Sequence, residues 1–172
     1  QGALPKSQAA ARTKLDDIAR ARFGALLTQP GIKAFWWPRY EAMADFAIAA
    51  IYEQSNSVVK SFAECKGNLT LTLADKSPFT LTGRADRIDQ LKNGTYQVID
   101  YKTGQVPTKK QVITGFASQL PLEALMLQNG AFKTSDKNGE LPMPPLPVSG
   151  LAYWKFAARP KDCAIEERPD SK

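Results

Sequence analysis

The chain has 172 residues, 43% of them apolar and 23% charged, a composition that fits one globular domain with a real core. Lys and Arg outnumber Asp and Glu by 23 to 17, for a net charge of +6; this is compatible with a polyanionic partner but does not require one. With no His and only two Cys, the chain cannot build imidazole-dependent triads or a four-thiolate zinc or iron–sulfur site. Any catalysis must run on carboxylates, Lys and a hard metal.

No apolar run approaches the ~20 residues that span a bilayer, and no signal-peptide pattern is present, so no membrane partner is expected. Cys65 and Cys163 read as two reduced thiols of a cytoplasmic protein. The chain opens "QGALPKSQ" without Met and stops at "RPDSK", and the expectation is one domain, 1–172, cut from a longer protein.

Residues 6–28 predict a helix, with Leu15, Ile18, Ala19, Phe23 and Leu26 at helical spacing. "QPGIKAFWWP" interrupts it. A second helix is predicted over 39–54, its stripe formed by Tyr40, Met43, Ala44, Ala47, Ile48 and Ile51. Trp36 and Trp37 read as core between the helices rather than as a base-stacking platform. The period then becomes two. "NLTLTL" at 68–73, "FTLTGRADRID" at 79–89 and "TYQVIDYKT" at 95–103 predict three strands, the last two joined through the hairpin signal Asn93-Gly94. A helix over 117–128, an exposed Pro-rich loop over 133–147 and a strand over 148–157 complete the order α-α-β-β-β-α-β. The tail beyond gives little signal, and there is no internal repeat.

Strand alternation places Val98, Asp100 and Lys102 on one face, and Thr82, Arg84 and Asp86 on one face of the preceding strand. The hairpin brings Asp86 towards Asp100. Two adjacent carboxylates repel unless a cation lies between them, and oxygen donors select Mg²⁺, with Mn²⁺ able to substitute. Two carboxylates and an ammonium are a minimal set for phosphodiester hydrolysis. A salt bridge of Asp100 with Lys102 or Arg84 explains the same residues without any chemistry.

The strings "GRADRID" at 83–89, "VIDYKTG" at 98–104 and "QLPLEA" at 119–124 resemble the PD-(D/E)XK nuclease superfamily and its RecB-like branch. With "AFWWPRYE" at 34–41 and "FAECKGNLTL" at 62–71, the pattern looks most like the C-terminal nuclease domains of the AddB family. The likeness covers roughly residues 10–130. It implies an α/β restriction-endonuclease-like fold, a mixed β-sheet flanked by helices, and Mg²⁺-dependent exonuclease action on DNA in double-strand break repair and recombination.

It also implies DNA as partner, as a single strand fed from an unwound duplex, and an AddA-type helicase–nuclease subunit in the intact complex. Carried over by motif position, Asp86, Asp100 and the Tyr101 carbonyl would hold the metal, and Lys102 would assist the nucleophile. Gln119 would contact DNA or orient the Lys, and Glu64 would assist metal or water. Arg84, Lys109 and Lys110 are candidate phosphate contacts, whereas Arg87 reads as structural or solvated.

Two departures stand out. Glu123 occupies a position where many RecB-like members carry Tyr, and its role is left open, although it shares a helix face with Gln119. The early-helix His of many members is missing, with Glu41 or Glu53 as candidate substitutes. The four-Cys iron–sulfur cluster of some relatives is not expected. The competing reading is a catalytically silent module of the same fold that binds DNA or braces a partner subunit.

Overall fold

The structure, a computed structural model, describes residues 4–136 and 139–168. It divides into two compact units: residues through Asn56 joined by Lys155–Ala164, and Ser57–Trp154 joined by residues from Ile165 onward.

In the first unit, α1 (Gln8–Phe23) begins where the Ser7 hydroxyl accepts a hydrogen bond from the Ala10 amide at 3.2 Å. It ends at Gly24, whose φ of +51° breaks the helical path, and Gly24–Thr28 tighten into a 3₁₀ turn. The α-helix is therefore shorter than the 6–28 expected. A π turn at Ile32–Trp36 leads into α2 (Trp37–Gln54), with Pro38 in the first turn, where its missing N–H costs nothing.

Arg12 joins the two helices by pairing with Asp16 at 2.8 Å and with Asp45, and the Tyr40 hydroxyl donates to Asp16 at 2.8 Å. The Trp37 ring packs 6.1 Å from Phe23 and 4.8 Å from Tyr40, under the Arg20 guanidinium. Trp36 is 53% exposed and Trp37 half-buried, so only Trp37 packs between the helices and neither is fully buried. Successive helical residues point about 100° apart, and two neighbours cannot both face inward.

The second unit is built on a seven-stranded, mostly antiparallel sheet. Its strands are β1 (Val58–Thr72), β2 (Pro78–Leu91), β3 (Tyr96–Lys102), β4 (Phe132–Asp136), β5 (Gly139–Pro142), β6 (Val148–Lys155) and β7 (Ala164–Arg168), in the order β5-β4-β1-β2-β3-β6-β7. Two helices follow β3: α3 (Lys109–Ile113), held by a Thr108–Gln111 capping box, and α4 (Gln119–Gln128).

The segment 133–147 expected as a loop instead contains β4 and β5; residues 137–138 of it, and 169–172 of the tail, lie outside the described residues. All four residues of β5 are exposed, and the strand is held to β4 by backbone pairing from Lys133↔Pro142 to Asp136↔Gly139. β4 joins β1 through Lys66↔Lys133 and Gly67↔Phe132. Gly67 is required there, since a Cβ would lie 2.8 Å from the fully buried Phe132 ring. The helix α3 and the strand β7 were not anticipated either.

β1 begins ten residues before the predicted strand. Its inward residues switch from Phe62 to Cys65 across Glu64, a non-glycine residue at φ +56°. That break in alternation hides the first half of the strand from a period-two reading. β2 turns into β3 at Asn93-Gly94, with Gly94 at φ +81° and its amide donating to the Leu91 carbonyl at 3.1 Å. The core joins Ile88, Tyr96 and Val98 of the sheet to Leu120, Ala124, Met126 and Leu127 of α4. On the other face of β2, Arg87 and Asp89 form a buried two-bond pair at 2.8 and 2.6 Å, with the guanidinium 4.8 Å from the Trp154 ring centroid.

Candidate active site

The β2–β3 ladder runs from Gln90↔Tyr96 to Arg87↔Ile99 and stops one residue short of Asp86 and Asp100. Past that last pair, a side chain continues the connection. The Tyr101 amide donates to Asp86 Oδ2 at 2.9 Å. The Tyr101 ring lies on the reverse face, 6.0 Å from Trp154, as strand alternation requires.

Asp100 is buried at 2% exposure and Lys102 is half-buried, with Nζ 2.7 Å from Asp100 Oδ2. The first residue of α4 then closes the group. The Gln119 amide nitrogen donates to Asp100 Oδ1 at 2.7 Å and to Glu123 Oε1 at 3.2 Å, while its oxygen accepts from Lys102 at 3.3 Å. Each half of the amide thus faces the charge it can bind. Lys102 also lies 5.9 Å from the centroid of the buried Tyr153 ring.

Glu123, left open in the sequence, is drawn into this network one helical turn beyond Gln119. It is 5% exposed. Burial pushes its carboxyl up to about 7, the charges of Asp100 and Asp86 adding to the rise; the Gln119 hydrogen bond and the Lys102 charge oppose it. The sequence signal for its participation was the i, i+4 spacing from Gln119.

The remaining predicted residues take other places. Glu64 and Arg84 pair with each other at 2.6 Å, both well exposed, an arrangement of small energetic weight. Lys109 and Lys110 lie exposed on α3. Arg87 is structural, in the pair with Asp89. In the first unit, Glu41 accepts from the Trp37 indole at 3.0 Å, and Glu53 is exposed on α2. Both cysteines are free thiols; burial raises the Cys65 thiol to about 11, so it is protonated at neutral pH.

Among the described residues, no three Asp, Glu or Cys side chains converge into a ready-made metal cage. Two observations nevertheless suit a hard cation. Asp100 Oδ2 and Glu123 Oε2 are buried and accept no well-aligned hydrogen bond. The available donors are carboxylate and carbonyl oxygens, and Mg²⁺ needs only one or two carboxylates when water and phosphate oxygens complete its shell.

The chain belongs to the PD-(D/E)XK nuclease superfamily, which it matches over residues 1–171. The mixed sheet with α4 packed on it is consistent with the restriction-endonuclease-like fold, and members of this superfamily are generally nucleases that typically use divalent metal ions. Among curated proteins, it is 33% identical over 103 residues to an uncharacterized protein of Rickettsia bellii, covering 60% of this chain and 12% of that one. Similar proteins of Rickettsia felis (33% over 106 residues, 62% of this chain) and Rickettsia typhi (34% over 100 residues, 58%) also carry the description uncharacterized, and again 12% of their length is matched. The chain therefore corresponds to a small part of these relatives. A solved structure described as the crystal structure of SSO0001 gives a TM-score of 0.44 at 12% identity, over 95% of this chain and 62% of that one. Among the described residues, no helix is long and apolar enough to cross a membrane.

Proposed function

We propose that this chain is a metal-dependent deoxyribonuclease domain that hydrolyses DNA phosphodiesters. The observation that carries the reading is the closed network of Asp100, Lys102, Gln119 and Glu123, with Asp86 fixed beside it by the Tyr101 amide. Asp86, Asp100 and the Tyr101 carbonyl would hold Mg²⁺ or Mn²⁺. When bound, the ion supplies Lewis-acid polarisation of a phosphoryl oxygen and an acidified water.

The chain's own residues do the rest. Lys102 holds the nucleophilic water through Nζ and stabilises negative charge gathering on the phosphate. Gln119 fixes where Nζ points, through the amide that also binds Asp100. Arg84, Lys109 and Lys110 are the proposed phosphate contacts, with Arg84 exchanging Glu64 for DNA; released in this way, Glu64 would help to orient the attacking water. Such contacts are to backbone and carry little sequence information.

In its fullest form, the proposal is a cytoplasmic exonuclease acting in double-strand break processing beside an AddA-type helicase–nuclease subunit that feeds it a single strand. The motif strings that resemble the AddB family support this form, and the short fraction of the relatives that is matched suits a domain of a large enzyme.

One observation favours the silent module instead. Lys102 is engaged by Asp100, and Asp86 by a backbone amide, with no three-carboxylate cage assembled among the described residues. A cleavage assay on labelled single- and double-stranded DNA, with Mg²⁺ or Mn²⁺ and with Lys102→Ala as control, separates the two. The nuclease reading expects metal-dependent products that Lys102→Ala loses. DNA binding that survives Asp100→Ala, with no cleavage by the wild type, establishes the module, and a Lys102→Ala variant as active as wild type refutes the site assignment.

A further inference from the structure

Between α3 and α4 the chain does something a stable fold alone does not require. Val112 is buried and Ala117 packs on the core, so both ends of the turn are anchored. Between them Ile113 is 70% exposed and Phe116 is 89% exposed, the most exposed of the large apolar side chains. The turn is not loose. The Thr114 amide donates to the Lys110 carbonyl at 2.9 Å, Gly115 to Val112 at 3.1 Å, and Ala117 to Gln111 at 2.9 Å. Gly115, at φ +76°, permits the reversal. A rigid turn thus holds an aromatic ring in water, where burial would have been the favourable outcome.

Its surroundings indicate what covers it. Lys109 and Lys110 stand exposed on the same helical turn, and neither has a carboxylate partner among the described residues. Phe116 precedes Gln119 by three residues, a chain reach of at most about 11 Å, and Gln119 touches both Asp100 and Lys102. Exposed ammonium groups on the helix that leads into the turn, and a held aromatic ring three residues before Gln119 of the candidate phosphodiester-cleaving centre, match a nucleic-acid strand: phosphates on the lysines and a base on the ring.

We propose that Phe116 is a base-stacking platform for single-stranded DNA, gripping an unstacked base next to the phosphate presented to Lys102. The inference rests on the nuclease reading and adds a contact that the motif residues do not supply. An unpaired base can stack on the ring, whereas a duplex buries its base faces, so the platform favours single strands over duplex.

The test uses the intact protein in EDTA, to prevent cleavage, with fluorescently labelled oligo(dT) and a companion oligo(dT) carrying one 5-iodouracil. Stacking on one aromatic is worth about tenfold in affinity. Phe116→Ala is expected to weaken oligo(dT) binding by that factor with an unchanged salt slope, because no phosphate contact is lost. Lys109→Ala with Lys110→Ala is expected to reduce the salt slope. Phe116→Tyr keeps the affinity and Phe116→Leu does not. Irradiation is expected to join 5-iodouracil to the peptide containing Phe116 in the wild type.

Wild-type protein that binds oligo(dT) and, with Mg²⁺, cleaves it, while Phe116→Ala binds equally well or the crosslink forms elsewhere, overturns the platform and leaves the nuclease reading intact. The exposed turn would then belong to a protein contact. Wild-type protein that neither binds nor cleaves DNA overturns both.

Discussion

Replacing Glu123 with Gln should make the metal-free protein more stable at pH 8 and remove most of a pH dependence centred near neutrality. The carboxyl is 5% exposed, Oε1 has one hydrogen bond at 3.2 Å, and Oε2 has none. Its affinity for the proton rises from the ordinary value of 4.5 to about 7, burial being the largest cause. Between those values the folded chain keeps a proton that the unfolded chain has released, so stability falls as pH rises. This group's contribution is fully present below about pH 4.5 and lost above about pH 7. Each unit is about 1.4 kcal/mol, which gives a loss of roughly 3 kcal/mol across the window.

Gln has the same shape, keeps a partner for the Gln119 amide and carries no charge to desolvate. The assay is urea unfolding in EDTA at about pH 5, 6, 7 and 8, reading the midpoint and slope. The window is uncluttered because the chain has no His. The expected result is a wild-type stability that declines and a Glu123→Gln stability that stays nearly flat, the two diverging by roughly 2–3 kcal/mol at pH 8. Parallel profiles, or a variant less stable than wild type at pH 8, would refute the account of Glu123 as a buried carboxyl strained by Asp100 and Asp86.

Other outcomes follow from the same geometry. Mg²⁺ should stabilise wild type more at pH 8 than at pH 5, because the Glu123 carboxyl, pushed up to about 7 beside Asp100, loses its proton over that range and adds negative charge to the site; thermal melts with and without the ion check this. Gln119→Leu removes the amide that bridges Lys102, Asp100 and Glu123, and should lower metal affinity or cleavage about 10- to 100-fold, read by metal titration and by steady-state kinetics. Asp89→Ala leaves Arg87 buried without its partner and should cost about 3–5 kcal/mol, measured by urea unfolding. Gly67→Ala forces a methyl against the Phe132 ring and the Met126 thioether and should cost about 1–3 kcal/mol, seen in the same measurement.

The hairpin at the centre of the site was legible in the sequence because its determinants are local. Asn93-Gly94 supplies the turn, and alternation then assigns Asp100 and Lys102 to one face and sets Asp86 across from them. The long first half of β1 was not legible. Glu64 at φ +56° reverses the inward face within one residue, and a pattern detector built on strict alternation reads such a segment as irregular. The hairpin of β4 and β5 escaped for another reason. Its stability comes from backbone pairing and from two buried anchors, Phe132 and Met143, and a polar, Pro-containing string advertises neither.

By itself, then, the sequence determined the α/β class, the two helices of the first unit, the central hairpin and the identity of Asp86, Asp100, Lys102 and Gln119 as candidates. All of these depend on near neighbours in the chain or on a short motif. Only the tertiary structure decided that Glu123 is buried against Asp100, that Arg87 belongs to Asp89 and Trp154, and that Arg84 is held by Glu64. Charge balance and burial are properties of what surrounds a side chain. For these residues the decisive neighbours come mostly from other elements, and chain order alone does not bring them together.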